Sequence, residues 1–154
     1  MSAAQMNSAT VGRRAGVAGP AIVDVTISLV AGRGVAGYLG DGGPATLAQL
    51  DGPTGVAVDA AGGILVVDAS NRVRRIAYGT ITTVAGSGVA GHVSQGLPLP
   101  EDGGPALDAQ FNDPIGIVLD RDGNILVADA LYHRIRRVTP DGTITTIAGN
   151  GIPL

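Results

Sequence analysis

Six aspartates occupy matching places in two stretches of this chain: Asp41, Asp59 and Asp68 in the first, Asp102, Asp120 and Asp129 in the second. Paired carboxylates can share acid and base work, or hold a hard cation among several oxygens. Acid–base catalysis needs two environments that push two pKa values apart, and carboxylates recurring in like settings do not supply that difference. A calcium loop needs several oxygens at once, and the repeat supplies one shared carboxylate per loop. The expectation is therefore structural. Asp59, Asp120, Asp68 and Asp129 are read as caps of the turns that end strands, and Asp41 and Asp102 as local caps of short helical turns opening at Pro44 and Pro105.

The other chemically capable groups lead the same way. Six of the ten arginines lie in two short runs, Arg72 to Arg75 and Arg134 to Arg137. Their recurrence points to long stems packed within the fold, with guanidiniums reaching the turn aspartates or water. His92 and His133 are the two histidines, and neither falls on an inner strand. Ser70, Ser87 and Ser94 lack the histidine and aspartate pattern of a nucleophile. The runs Gly32 to Gly37 and Gly86 to Gly91 read GxGxxG, but the residues after each run cannot open a long helix, so a dinucleotide site gives way to a connector rich in positive-φ glycine. No metal, cofactor or catalytic set is expected.

Composition narrows the classes further. The chain has 154 residues, 25 of them Gly and 9 Pro, with no Lys and a single Glu, Glu101. Strong helix formers are scarce and turn formers plentiful, which favours an all-β chain. Its Ala, Gly, Val and Arg bias fits a GC-rich bacterial genome. A formal charge of -3 and an aromatic content of 3% give neither a basic field nor stacking platforms for nucleic acid. The absence of cysteine excludes disulfides and thiolate metal sites and leaves the compartment open. No apolar run approaches the roughly 20 residues of a membrane span. Arg13-Arg14 precede an apolar stretch that Asp24 closes too early for an export signal, so residues 1–25 are read as a disordered leader or the remnant of an upstream repeat.

What must position these groups is a repeat. Asp41 to Asp68 recurs as Asp102 to Asp129 at an offset of 61 residues, with 15 of 28 positions identical. Each copy carries four short Val- and Ile-rich runs between turn signals: Thr54 to Asp59, Ile64 to Asp68, Arg72 to Ile76 and Thr80 to Ala85, then Ile115 to Asp120, Ile125 to Asp129, Arg134 to Val138 and Thr143 to Ala148. Runs of this length and composition read as strands, four to a meander. Runs such as GVAVD and ILVVD are apolar at nearly every residue, as strands covered on both faces are. Sheets repeated every 60 or so residues suggest propeller blades.

PTGVAVDAAGGILVVDASNRVRRI and PIGIVLDRDGNILVADALYHRIRRV resemble the NHL repeat, and the segment TITTVAG leading to GxGxAG and DGGPA resembles its long bacterial and teneurin-like form. The resemblance covers Ile27 to Gly151 and implies a β-propeller, with the PxGV strand innermost and TITTVAG outermost. The expected architecture is an all-β partial propeller: blade 1 over residues 53–86, a connector over 87–113 and blade 2 over 114–149. Thr26 to Ala31 matches the outermost strand and is expected to form one extra strand. Leu50 and Phe111 are expected to anchor the connector turns between blades.

Two blades cannot close a ring, since closed propellers have about four to eight. The chain is expected to be a fragment or subunit of a larger propeller, needing further blades or self-association. Its expected role is a non-catalytic binding or scaffold module for a protein or carbohydrate partner. The alternative is a piece of a propeller lyase or lactonase whose metal ligands lie in other blades. The second copy also holds a seven-residue insertion, His92 to Glu101 against Tyr38 to Gly40. Being least like the repeat, His92, Val93, Ser94, Gln95, Leu97, Pro98, Pro100 and Glu101 form the candidate partner-contact loop.

Overall fold

A computed structural model of the protein describes residues 26–91, 99 and 101–152. The chain divides into one unit ending at Val30 and a second running from Ala31 onward. The expected leader, residues 1–25, lies outside the described residues. So do His92, Val93, Ser94, Gln95, Leu97, Pro98 and Pro100 of the candidate loop.

Each copy of the repeat folds into a four-stranded antiparallel meander. The first contains β1 (Gly55–Val58), β2 (Ile64–Asp68), β3 (Arg72–Ala77) and β4 (Thr80–Ala85), hydrogen-bonded in that order. The second contains β5 (Pro114–Leu119), β6 (Ile125–Asp129), β7 (Arg134–Val138) and β8 (Ile144–Ala148). Boundaries shift by a residue or two where turn chemistry takes over. Asp59 leaves β1 because its N–H already closes the turn onto the Gly63 carbonyl at 2.8 Å. Thr143 makes only an isolated bridge with Pro105, and β8 starts after it. Two 3-10 turns, Ala45–Leu47 and Ala106–Asp108, are the helical elements among the described residues, and no helix there is long enough to cross a membrane.

The expected extra strand does not form. Thr26 to Val30 are exposed and irregular, with bridge geometry at Ile27 alone, and both sheets draw all their strands from Gly55 onward. A strand exists through the partners of its main-chain groups; where it lacks a ladder, water serves those groups instead.

The core lies between the sheets. Leu65, Val67, Val73 and Ala85 of the first sheet meet Ile117, Val127, Val138 and Ile144 of the second, with Ala106, Ala109 and Phe111 of the connector among them. A second cluster covers the other face of the first sheet, where Val66, Ile76 and Ile81 pack beneath Ala45 and Ala48. The first sheet is thus covered on the face toward the second sheet and, over β2 to β4, on its other face, while Val56 and Val58 of β1 stay exposed. Two polar ties cross between the sheets: Thr54 Oγ1 donates to the Pro114 carbonyl at 2.9 Å, and the Asp113 N–H donates to Asn71 Oδ1 at 3.2 Å.

Glycine is required where the outer strand leaves each sheet. Gly86 and Gly149 hold φ of 91° and 86°, and a Cβ there would lie 2.3 Å from the Asn71 carbonyl oxygen and 2.1 Å from that of His133. The same close approach recurring in both copies fixes how the connector departs.

Candidate functional site

Both sheets carry a bulge at the same place, between Val73 and Arg74 against β4 and between Ile135 and Arg136 against β8. A bulge re-aims the side chains around it. Arg74 and Arg136 are both wholly buried, so each guanidinium needs counter-charge inside the fold. The sequence supplies it from the connector before each sheet. Arg74 Nε donates to Asp41 Oδ1 at 2.8 Å and its Nη1 to the Gln49 carbonyl at 3.2 Å. Arg136 Nη2 lies 3.0 Å from Asp102 Oδ1, while its Nη1 is 3.5 Å from Glu101 Oε1 and 3.7 Å from Asp129 Oδ2.

Asp41 and Asp102 are therefore not local caps. Neither 3-10 turn has a side-chain cap hydrogen bond. Asp41 reaches instead across to β3 and also accepts from the Thr83 N–H and hydroxyl on β4, at 3.0 and 2.5 Å. A buried cation outbids an N–H that water can serve, because leaving it unpaired costs far more.

Asp59 and Asp120 sit on the turns after the inner strands. Asp59 Oδ1 accepts from the N–H groups of Ala61 and Gly63 at 2.9 and 2.7 Å, and Oδ2 from Arg75 Nε at 2.6 Å. The Arg75 hydrogen bond leads in holding its carboxyl below the ordinary value. Asp120 accepts from the N–H groups of Asp122 and Asn124, and the Asn124 side chain leads in lowering its carboxyl likewise. A cleft of about 240 Å3 between the sheets opens beside Asp59 and Arg75, walled by Leu65, Leu119, Ile125 and Val138.

Asp68 and Asp129 end β2 and β6, and both are fully buried. Each accepts from a connector N–H: that of Asp51 to Asp68 Oδ2 at 3.2 Å, and that of Asn112 to Asp129 Oδ1 at 2.8 Å. They differ in their remaining oxygen. Asp68 Oδ1 takes the Ser70 N–H and hydroxyl, at 3.0 and 2.5 Å. Leu131 stands in the place of Ser70, and Asp129 Oδ2 is left without a hydrogen bond. Burial accordingly pushes the Asp129 carboxyl up to about 6, against the partial offset of Arg136.

That shift has a definite sign. Folded Asp129 keeps its proton to about pH 6 while the unfolded chain releases it near 3.8. Its contribution is fully present below the lower value and is lost as pH rises through the upper one, by about 3 kcal/mol. Chemical denaturation at several pH values should show Asp129→Asn losing less stability than the parent chain between about pH 4 and pH 6.

Sequence reasoning missed two features. Arg72 lies 4.3 Å from the centroid of the Tyr38 ring, a contact between β3 and the connector that no repeat spacing announces. Glu101 belongs to the expected contact loop, yet its side chain turns inward to Arg136. The available signal was that Glu101 is the chain's single glutamate and replaces Gly40 of the first copy. Among the described residues no three acidic or histidine side chains are grouped to hold a metal ion.

Residues 111–137 match the family model of the NHL repeat. Teneurin-1 of Gallus gallus and of Mus musculus are each 42% identical over 69 residues, 42% of this chain and 2% of theirs. The virginiamycin B lyase of Staphylococcus aureus is a solved structure with 21% identity and a TM-score of 0.41, over 66% of this chain and 27% of that one. The chain thus spans a small part of the proteins it matches.

Proposed function

Because the chain is an NHL-repeat protein, we propose that it is a non-catalytic binding or scaffold module, one section of a larger β-propeller. The observation that carries this is a difference between equivalent positions. Leu65, Val67, Val73 and Ala85 are at most 1% exposed where the second sheet covers them. Their counterparts Leu126, Ala128 and Ile135 are only partly buried, and Ala148 is exposed. An open depression of about 250 Å3 lies over Ala128, His133, Ile135 and Ala148, where Phe111 closes the first sheet. At the opposite end Val56 is 66% exposed while its counterpart Ile117 is 7% exposed.

Aliphatic positions bare at both ends of a stack ask for another sheet of the same kind. Light scattering over a concentration series tests this. The parent chain should gain mass with concentration, and Ile135→Asp and Val56→Asp should each reduce that gain. A parent that stays monomeric throughout, or variants that associate equally, would sink the scaffold reading.

The insertion spanning residues 92–101 is the proposed contact with a protein or carbohydrate. The first copy joins the same two points with Tyr38-Leu39-Gly40, so exchanging the insertion for those three residues should keep the β-type circular dichroism while removing any glycan-array or affinity-capture binding. Binding retained by the exchanged chain would assign the contact elsewhere. A stoichiometric metal in the purified protein, or lactonase turnover, would favour the lyase or lactonase alternative.

A further inference from the structure

We infer that Glu101 is a protonation-controlled latch: it shares the buried Arg136 guanidinium with Asp129, so a proton taken up by Asp129 fastens Glu101 to the second sheet and its release loosens it. The geometry is specific to the second copy. Arg136 Nη1 faces both Glu101 Oε1, at 3.5 Å, and Asp129 Oδ2, at 3.7 Å, while Nη2 is committed to Asp102 at 3.0 Å. In the first copy Gly40 stands where Glu101 does, and the oxygens of Asp68 are taken by Asp51 and Ser70. No such competition exists there.

Among the described residues a small set of charged and titratable groups surrounds Asp129. Arg134 and Arg136 face it from β7, Glu101 from the connector, with Asp102 beside it through Arg136, and the buried Tyr132 from the turn after β6, where His133 lines the same depression. Asn112 adds its backbone N–H. When Asp129 is ionised, two carboxylates draw on one nitrogen and repel each other across a site that water screens only in part. Asp129 is held in place by β6 and Asn112, so Glu101, on the connector, is the partner able to yield. When Asp129 is neutral, Nη1 belongs to Glu101. Burial and the charge of Glu101 both favour the neutral form, which brings this exchange near neutral pH.

The chain offers its own reporter, because Glu101 is its sole glutamate. A glutamate-specific protease has that one site, and cutting there requires Glu101 to leave Arg136. The rate should be divided by that of a synthetic peptide of residues 95–107 at each pH, which removes the protease's own pH dependence. The normalised rate should rise about threefold from pH 5 to pH 7 in the parent chain and stay low and flat in Asp129→Asn. By reciprocity, Glu101→Gln should lower the pH at which the Asp129 carboxyl carbon titrates by NMR, a readout that remains if Asp129→Asn fails to fold. A normalised rate independent of pH in the parent, full pH dependence in Asp129→Asn, or an unmoved Asp129 titration in Glu101→Gln would overturn the latch.

Discussion

Replacing Phe111 with alanine should lower the unfolding free energy by about 3–5 kcal/mol, the usual loss for a large core aromatic. Phe111 is fully buried in the cluster between the sheets, although it stands on no strand. It arrives from the connector and packs where β4 leaves the first sheet, close enough that a Cβ on Gly86 would lie 3.0 Å from its ring. Truncation would open a cavity between elements held by their strands on either side, which can collapse only partly. Leu50 holds the equivalent place before the first sheet and is only partly buried, so Leu50→Ala should cost distinctly less. Urea midpoints followed by circular dichroism measure both. A Phe111→Ala loss below about 1 kcal/mol would mean that the connector does not lock the two sheets together.

The second large effect concerns the two buried arginines, and it should be unequal. Asp41 is the single carboxylate paired with Arg74 among the described residues, and the Gln49 carbonyl is the other acceptor. Asp41→Ala would strand a guanidinium that has no exposed surface, at a cost of about 3–5 kcal/mol. The Thr83 hydrogen bonds would go with it. Asp102→Ala should cost less, because Glu101 and Asp129 remain near Arg136. The joint change Arg74→Met with Asp41→Ala should recover most of the loss, since removing both charges also removes the desolvation burden. Equal losses in Asp41→Ala and Asp102→Ala would show that the extra carboxylates do not compensate. No recovery in the joint variant would show that the arginine stem matters more than its charge.

Much of the architecture is legible in the chain because it is written in neighbours. β2, β4, β6 and β7 fall on the runs expected from their Val and Ile content and turn signals. Asp59 and Asp120 bond to the N–H groups of their own turns, two and four residues away. Turn chemistry and strand alternation act within a few residues of chain, so a one-dimensional reading reaches them. The extra strand expected at Thr26 to Ala31 fails for the complementary reason: its composition suits a strand, but a ladder needs a partner that composition cannot supply.

Two meanders of four strands, their turns, and the matching aspartates and arginines of each copy follow from the order of residues. Which aspartate meets which arginine follows from the folded chain. Asp41 and Arg74 are separated by 33 residues, and they meet because a bulge re-aims β3 and the connector folds back across the sheet. It also decided that Asp129 lacks the hydrogen bonds Asp68 enjoys and that Glu101 turns inward. Like residues at like spacing acquired unlike environments, because burial and pairing depend on what the rest of the chain brings to each place.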